Sequence, residues 1–526
     1  MRYLIGIDIG TSATKTILMD EEGNVAAQAV RDYPLYQPDN GWAEQEPEDW
    51  KQAVLETLKQ VVEQSGVNRD DIKGIGLSGQ MHGLVMLDEA GNPIRRSIIW
   101  CDQRSGQQVD EMLKLLPYEK WLEITANPPI AAWTAAKLLW VKRHEPEIYA
   151  KCRHILLPKD YIRYVLTGQF ATDVSDASGM QMLDVKNRCW SDEVLEVLGV
   201  QKEMLGKVYE SQEVTGRLLQ SVAEKCGLTA DVKVVAGSAD NAGAAIGTGV
   251  VRDGDAFTSI GTSALIYTHM DRYTPIPEGS LHLCCSSVPG CWFTMGGPQA
   301  AGLSLEWFKD NYCQDYKEKA KKDSRSTYDL INEAAADIGP GSERLIFMPY
   351  LMGERTPHMN PRCRGAFVGL NIIHTKAHLI RAIMEGVTYS LADCNNILKN
   401  LGFAVEDMRV CGGGSKSPVW RRIMADLYGC NIIQLEQEEG PAYGVAILAG
   451  VGTGVFDDVR DVSKKLARCG RVTVPDEEEA AVYRKYHALY DRLYDHMKQD
   501  FNQKEGLIPR SLLRNKLFQD MEEVIY

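Results

Sequence analysis

The pentapeptide IGTSA occurs twice in this chain of 526 residues, at residues 9–13 and again at residues 260–264. Each copy ends an apolar run that contains isoleucine, YLIGIDIG in the first case and DAFTSIG in the second, and such runs are typical of buried strands. Each copy also leads into a further apolar run, ATKTILMD or ALIYTH. The sequence therefore predicts two strand–turn–strand hairpins, one near the start of each half of the chain.

The tip of each predicted hairpin is Gly-Thr-Ser, which presents successive backbone N–H groups together with hydroxyls. Successive N–H groups form a concavity that binds anions such as phosphate. A strand follows each tip, whereas a helix follows the GxxxxGK[ST] loop, and that string is absent from the sequence. The repeat therefore predicts a duplicated domain in which each half holds part of a nucleotide's phosphate chain.

A third glycine-rich stretch, MRVCGGGSKSPVWRRIMADLYG, predicts a strand over residues 408–411, a loop at 412–414 and then a helix. Ser417 suits the N-cap of that helix, and Pro418 suits its first helical position because the proline ring fixes a helical φ. Three glycines in a row allow a flat ligand to lie directly on the backbone. We expect an adenine or ribose there, and the alternative is an ordinary flexible loop.

Two aspartates are candidates for phosphoryl-transfer chemistry, which needs a divalent cation and a base for the acceptor hydroxyl. Asp8 lies inside the first apolar strand, where an unpaired carboxylate is costly, so it is a candidate to hold Mg²⁺ through water. Asp240 lies at the predicted start of a small-residue helix, ahead of the second hairpin. A helix N-terminus stabilises the anion, and the alternative role for Asp240 is a simple cap. We predict Asp240 as the base.

Polar residues that follow two other predicted strands are candidates for an acceptor pocket. A sugar is recognised by hydrogen bonds, which an apolar pocket cannot supply. The candidates are Gln80, Met81 and His82 in LSGQMHG, and Trp100, Asp102 and Arg104 in IIWCDQR. The string GIGLSG that precedes the first group fits GxGxxG. However, an apolar strand rather than a helix is predicted after it, which disfavours a dinucleotide-binding dehydrogenase.

Composition excludes several classes of protein. The net charge is −14, so there is no basic surface of the kind that recruits nucleic acid or an anionic membrane. Thirteen cysteines are scattered without a metal-binding spacing, as expected for free thiols in a reducing compartment. The N-terminus MRYLIGIDIG predicts a strand rather than a signal peptide, and no apolar run is long enough to span a membrane. We therefore expect a cytoplasmic protein.

Together these motifs resemble those of the FGGY family of carbohydrate kinases. The resemblance covers roughly residues 1–450 and rests on GIDIGTSATK, GQMHG, IIWCDQR, TAAKLLWVKRHEPEIY, LLPKDYIRYVLTG, GSADNAGAAIGTG, SIGTSA, PYLMGERTPHMNP, GAFVGL and CGGGSKS. It implies an α/β fold of two ribonuclease-H-like (actin-like ATPase) domains with the active site in the cleft between them. It also implies ATP with Mg²⁺ and, from the Met-His pair, phosphorylation of D-xylulose.

Position by position, the resemblance implies Asp240 as the catalytic base and Asp8 as the carboxylate near Mg²⁺. It places the remaining site residues in three groups. These are Thr11, Ser12, Lys15, Gly261 and Thr262 at the phosphates; Gly412, Gly413, Gly414 and Ser417 at the adenosine; and Met81, His82, Asp240 and Asn241 at the sugar.

Three residues depart from the usual family pattern near the expected sugar pocket: Ala126, Ala132 and Cys101. They leave open another acceptor of the same chemistry, namely L-xylulose, ribulose, gluconate or glycerol. A nucleotide-binding actin-like protein without phosphoryl transfer is a more distant alternative, because such a protein has no need of a polar sugar pocket.

We expect the two domains at residues 1–250 and 251–526, with the boundary within residues 249–254. A predicted helix near the C-terminus carries an apolar stripe, which either packs on the second domain or forms a homodimer contact. The chain beyond about Phe501 extends past the expected length of the family. The stripe consists of Tyr486, Tyr490, Leu493, Tyr494 and Met497.

Overall fold

The structure is a computed structural model that describes residues 1–436 and 440–502. The extension beyond Phe501, singled out from the sequence, lies almost wholly outside the described residues. The strands of the described chain are β1 (Tyr3–Ile9), β2 (Ala13–Asp20), β3 (Val25–Asp32), β4 (Glu44–Gln45), β5 (Ile72–Gly79), β6 (Val85–Leu87), β7 (Ser97–Ile98), β8 (His154–Leu156), β9 (Ala171–Asp173), β10 (Leu183–Asp184), β11 (Cys189–Trp190), β12 (Lys207–Tyr209), β13 (Val214–Arg217), β14 (Lys233–Val235), β15 (Ser238–Ala239), β16 (Ala256–Ile260), β17 (Ala264–Met270), β18 (His282–Cys285), β19 (Trp292–Gly296), β20 (Ile346–Met348), β21 (Ala366–Val368), β22 (Asp407–Cys411), β23 (Asn431–Leu435) and β24 (Cys469–Thr473).

Helices cover both large sheets and form an additional helical region after β7. The α-helices are α1 (Pro47–Ser65), α2 (Gly106–Leu115), α3 (Tyr118–Thr125), α4 (Thr134–His144), α5 (Pro146–Lys151), α6 (Pro158–Thr167), α7 (Val174–Ala177), α8 (Asp192–Leu198), α9 (Gln220–Cys226), α10 (Asp240–Gly247), α11 (Gly302–Tyr312), α12 (Gln314–Lys322), α13 (Thr327–Ala336), α14 (Lys376–Asn400), α15 (Pro418–Tyr428), α16 (Pro441–Thr453), α17 (Val459–Leu466) and α18 (Glu477–Asn502).

Two seven-stranded sheets share one topology. In the first sheet the order is β13-β14-β5-β1-β2-β3, with β15 also paired to β5. In the second sheet the order is β18-β19-β17-β16-β22-β23-β24. The run β3-β2-β1-β5-β14 has the same antiparallel and parallel pairings as the run β19-β17-β16-β22-β23. The predicted duplicated α/β architecture is therefore confirmed, and both IGTSA segments form the predicted hairpin turns.

The first sheet is covered by helices on both faces, which explains why β1 has an almost continuous apolar sequence. Ile5 and Ile7 pack into the same core cluster as Trp50 of α1. Leu4 packs into a different cluster, with residues of α16. Since successive strand residues point to opposite faces, Asp8 shares the face of Leu4, on which α16 lies.

Helix α16 comes from the second half of the chain but packs against β1, β5 and α10 of the first half. Close approach to β5 needs glycine, because a Cβ at Gly76 would overlap the Val445 carbonyl oxygen. Gly76 belongs to GIGLSG, which lies wholly in β5 and is followed by strand β6 rather than by a helix. Here the glycines of that string serve helix packing, and the strand that follows agrees with the prediction against a dinucleotide fingerprint.

Helix α18 packs on the second half of the chain. Tyr490 and Tyr494 are buried, and the Tyr490 hydroxyl lies 2.7 Å from that of Tyr350. The rest of the predicted stripe packs against the same core cluster. The packing alternative is therefore confirmed. A homodimer contact stays a prediction.

Within the described residues, no helix is both long enough and apolar enough to cross a lipid bilayer.

Candidate active site

The turn of the first hairpin closes with a hydrogen bond from Gly10 N to Ala13 O of 3.0 Å. Two of the predicted substrate residues hold this turn. Trp100 Nε1 donates to Thr11 Oγ1 at 2.8 Å, and Gln80 Nε2 donates to Gly10 O at 3.3 Å. Both side chains therefore brace the predicted phosphate loop.

Two further residues that the sequence analysis did not identify also hold this turn. Gln45 Nε2 donates to Thr11 O at 2.6 Å, while its Oε1 accepts from Gln80 Nε2 at 2.7 Å. Tyr33 donates from its hydroxyl to Gly10 O at 2.5 Å. The first hairpin is thus fixed by a set of side chains from distant parts of the first half.

The turn of the second hairpin is held by backbone groups instead. Gly261 N donates to Ser263 O at 2.9 Å, which closes the turn. The first residues of α11 then bond to it: Gly302 N donates to Gly261 O at 2.9 Å, and Leu303 N donates to Thr262 O at 3.1 Å. The three tip residues, Gly261 to Ser263, are exposed.

Asp8 lies at the centre of a polar row on the face that carries α16. In register it stands between Lys15 of β2 and Ser78 of β5. Ser238 of β15 pairs in turn with Ser78. Burial raises the pKa of Asp8 to about 6, and the Lys15 ammonium opposes that rise. Among the described residues, Asp8 Oδ1 is buried without a hydrogen-bond partner, as are both serine hydroxyls.

Asp240 is the first residue of α10 and lies close enough to Asp8 for the two charges to interact. Burial and, to a smaller extent, the Asp8 carboxylate raise the pKa of Asp240 to about 7, against the opposing effect of the Asn241 backbone N–H. Asp240 Oδ1 accepts from Asn241 N at 2.6 Å and from Asn241 Nδ2 at 2.9 Å. A carboxylate that titrates near neutral pH can take up a proton from a hydroxyl.

One cavity of about 320 Å³ joins residues from both halves of the chain. Asp240 and Asn241 line it from α10, and Gly412 lines it from the glycine-rich loop after β22. Gly440 and Pro441, at the start of α16, form another wall that the sequence analysis did not identify. The predicted base and the predicted nucleotide loop therefore open onto the same space.

The glycine-rich loop is compact rather than loose. Gly412 has φ 80°, and a Cβ there would lie 2.6 Å from Ile260 O in the second hairpin, so only glycine fits. Gly413 and Gly414 begin a short 3₁₀ helix (Gly413–Lys416) and do not line the cavity. Ser417 caps α15 as predicted, accepting from Trp420 N at 3.1 Å. Its hydroxyl also donates to Asn332 Oδ1 at 2.6 Å, so nucleotide binding by Ser417 stays a prediction.

His82 is buried in the left-handed region of the backbone, with φ 65°. Its Nδ1 lies 3.0 Å from the Gly179 carbonyl oxygen, which can only accept, so Nδ1 carries the hydrogen and Nε2 is left as an acceptor. Burial is the main reason why the pKa of His82 is lowered to about 3. The Lys137 and Arg355 cations also lower it, and the hydrogen bond with Gly179 opposes the change. His82 is therefore neutral.

Two aromatic residues that the sequence analysis did not identify extend this region. The His82 ring stacks on Trp133 with 4.6 Å between ring centroids, and Trp133 lies 5.3 Å from the ring of His282 on β18. Both ring nitrogens of His282 are buried without a hydrogen-bond partner in the described structure. Met81 is also buried, and its sulfur accepts from Asn241 Nδ2 at 3.7 Å. The Met-His pair is thus linked to the residue beside the candidate base.

Asp102 and Arg104 are engaged with each other rather than free to contact a ligand. Arg104 Nη2 lies 2.7 Å from Asp102 Oδ2, and Arg104 Nη1 lies 2.8 Å from Glu44 Oε1. Asp102 Oδ2 also accepts from Ala43 N at 2.6 Å. Because both charged groups are buried and paired, the geometry does not favour the predicted contact between these two side chains and a sugar.

Comparison with known proteins identifies the family of the chain. Residues 3–247 match the N-terminal domain of the FGGY family of carbohydrate kinases, and residues 256–453 match its C-terminal domain. The chain belongs to the FGGY family of carbohydrate kinases.

Individual relatives align along most of the chain. The xylulose kinase of Bacillus subtilis (strain 168) is 38% identical over 498 residues, which is 95% of this chain and 98% of the relative. The gluconokinase of the same strain is 31% identical over 503 residues, or 95% and 97% of the two chains. A ligand-bound xylulose kinase from Lactobacillus acidophilus superposes with a TM-score of 0.88 at 27% identity, covering 95% of this chain and 99% of that one.

Proposed function

We propose that the protein transfers the γ-phosphoryl group of ATP to D-xylulose and forms D-xylulose 5-phosphate. The observation that carries the proposal is the cavity shared by Asp240, Asn241 and Gly412, which brings a candidate base and a nucleotide loop to one space. The xylulose kinases among the relatives support the choice of sugar.

Asp240 acts as the general base in this mechanism. Its carboxylate takes the proton of the terminal sugar hydroxyl while the oxygen attacks the γ-phosphorus in line and ADP leaves. A pKa of about 7 matches this task, since a base works best when its pKa is near the working pH. The two hydrogen bonds from Asn241 fix the carboxylate at the start of α10.

His82 and Met81 form part of the acceptor pocket. With Nδ1 bonded to Gly179, the neutral His82 ring offers Nε2 to a sugar hydroxyl as an acceptor. Trp133, which is itself buried, supports the ring by stacking on it. A pocket that binds a sugar through hydrogen bonds to its hydroxyls discriminates against analogues that lack them.

The two hairpins hold the phosphates of ATP. Thr11, Ser12 and Lys15 contribute from the first half, and Gly261 and Thr262 contribute from the second. Closure of the two halves expels water, which limits wasteful hydrolysis of ATP and strengthens the charge interactions.

The residues around Asp8 fit a bound Mg²⁺. Asp8 Oδ1 and the hydroxyls of Ser78 and Ser238 are buried oxygens without partners in the described chain, and Mg²⁺ prefers oxygen ligands and retained waters. Asp8 would hold the ion through water. An ion held there would supply positive charge close to the phosphates of ATP.

Gluconate is a second candidate acceptor. The Arg355 guanidinium lies close enough to lower the pKa of both His82 and His282, so a cation is present beside the predicted pocket. A carboxylate on the acceptor could pair with it, and a gluconokinase is among the relatives.

ADP release with Mg-ATP tests the proposal across a panel of D-xylulose, L-xylulose, D-ribulose, gluconate, glycerol and no sugar. We expect D-xylulose to stimulate release well above every other compound. A larger response to gluconate would favour the second candidate, and no response to any sugar would contradict phosphoryl transfer to this class of acceptor.

A further inference from the structure

A buried cluster of charges lies outside the residues to which the mechanism assigns a role. Lys159 Nζ stands 2.6 Å from Asp160 Oδ1, 2.9 Å from Asp173 Oδ1 and 3.3 Å from Asp176 Oδ2. Arg163 Nη1 stands 2.7 Å from the same oxygen of Asp160. Each of these side chains is at most 1% exposed. Burying so many charges is costly, so the cluster is weak evidence for stability on its own.

The cluster is hydrogen-bonded to the turn at residues 236–239, which leads from β14 to the candidate base. Arg163 Nη2 donates to the carbonyl oxygen of Ala236, at the beginning of that turn. Ser175 Oγ accepts from Ala239 N at 3.0 Å, at its end. Asp240 is the next residue in the chain. The turn is therefore tied at both ends to groups that cannot move into solvent.

Ser175 is the link between the charges and the turn. Its hydroxyl donates to Asp173 Oδ2 at 2.5 Å, and its own N–H donates to the same oxygen at 2.8 Å. Ser211 Oγ donates to that oxygen at 2.9 Å. With its proton committed to Asp173, the Ser175 hydroxyl can only accept from Ala239 N, and hydrogen bonds that involve a charged partner are the stronger ones.

We propose that Ser175 is a positioning residue for Asp240, anchored through Asp173 to the buried charge cluster. Ser175 touches neither the sugar nor the nucleotide in this scheme; it fixes the backbone from which the base projects. Small misplacements of a reacting group lower the rate of the chemical step far more than they weaken binding. The proposal rests on the proposed function, since it takes Asp240 to be the base.

Replacement of Ser175 by alanine tests the proposal, because it removes the acceptor of Ala239 N and leaves the ion pairs in place. We expect kcat to fall about tenfold or more, with the KM values for ATP and sugar within twofold of wild type. Hydrogen exchange at the Ala239 amide should accelerate in the same variant. The exchange rate reports on the bond itself and does not depend on catalysis.

Ser178→Ala is the matched control. Ser178 is equally buried, three residues further along, and also accepts one backbone N–H, from Cys285 at 3.0 Å, but it does not touch the turn before Asp240. We expect its kcat to stay within twofold of wild type. Equal losses in both variants would overturn the proposal, since they would reflect a general packing defect.

The experiment separates this proposal from the proposed function. The sugar that stimulates wild-type ADP release most strongly is used for every variant, so the choice of sugar does not affect the ratio. If Asp240→Asn keeps near-normal turnover, the base is misassigned whatever Ser175 does. If Asp240→Asn is inactive while Ser175→Ala keeps wild-type kcat, the function stands and the positioning role is wrong.

Discussion

The two Gly-Thr-Ser hairpins have the same sequence at their tips but different supports. The first is held by side chains, among them Trp100, Gln80 and Gln45, which reach it from distant segments. The second is held by backbone N–H groups at the start of α11. The first turn therefore depends on the identity of several distant side chains, whereas the second depends on backbone groups that any residue can supply.

The residues that precede the two turns differ as well. Asp8 stands two residues before Gly10, while Ser259 stands two residues before Gly261 in the corresponding strand. The first half also supplies Asp240, beside Asp8. The two halves thus repeat the hairpin but not the aspartate before its turn, and we infer that only the first half carries the carboxylates of the chemistry.

The largest effect on turnover is expected when the candidate base in the first half is neutralised. Asp240→Asn should lower turnover by roughly 10²-fold or more, because the variant cannot take up the hydroxyl proton. Calorimetric titration of ADP should show its affinity little changed. Near-normal turnover would mean that the first half does not supply the base.

The same variant should be more stable to heat at pH 8. The folded state raises the pKa of Asp240 above its ordinary value of 3.8 to about 7, so stability present below pH 3.8 is lost as the pH rises through 7. Asparagine removes this cost, and we expect Tm to rise by about 2 °C or more at pH 8 and much less at pH 5. An unchanged Tm at both pH values would indicate that the carboxylate is well solvated.

Replacing Asp8 by serine, the residue at the corresponding position of the second half, tests whether the two halves differ in function. Asp8→Ser should lower kcat by about tenfold or more and raise the Mg²⁺ concentration needed for half-maximal rate. The reason is that it removes the buried carboxylate that is expected to hold the ion. Ser259→Ala is the matched control and should stay within about threefold of wild type. Equal losses from the two changes would contradict the assignment of chemistry to the first half.

A change in the second hairpin should weaken nucleotide binding and leave sugar binding unchanged. A Cβ at Gly302 would overlap the Gly261 carbonyl oxygen, so Gly302→Ala must displace the turn. We expect the KM for ATP to rise about fivefold, in line with the cost of overpacking, while the KM for sugar stays near wild type. Initial rates at varied ATP and varied sugar measure both quantities, and a matching rise in the sugar KM would argue against a clamp for nucleotide only.

Removing one of the side-chain hydrogen bonds that hold the first hairpin should have the smallest effect on activity. Trp100→Phe keeps an aromatic side chain but loses the Nε1 donor to Thr11, a single hydrogen bond. The net value of such a bond is about 1 kcal/mol, so kcat/KM for ATP should fall about threefold to fivefold. A loss of 10²-fold would mean that Trp100 contacts a substrate directly.

The local parts of this structure could be predicted from the sequence. Each hairpin has its strands and turn in one short stretch, residues 3–20 and 256–270, and Ser417 with Pro418 is a local helix-start signal. Asp8 and Asp240 stood out because a carboxylate in an apolar strand and one at a helix start need an explanation. The duplication followed from the repeat of IGTSA.

The distant contacts could not be predicted in the same way. Helix α16 is buried over residues 442–450 on every side, so it has no polar face that would indicate which sheet it covers. Gln45 and Tyr33 reach the first hairpin through tertiary contacts that leave no pattern in the sequence. Asp102 and Arg104 looked suited to bind a sugar until the structure paired them with each other.

The pH dependence of kcat/KM for the sugar tests the central claim, that Asp240 is the base, most directly. We expect kcat/KM to fall as the pH is lowered through about 7, because protonation of Asp240 removes the acceptor for the hydroxyl proton. A flat profile between pH 5.5 and 8 in wild type, or the same acid limb in Asp240→Asn, would contradict it.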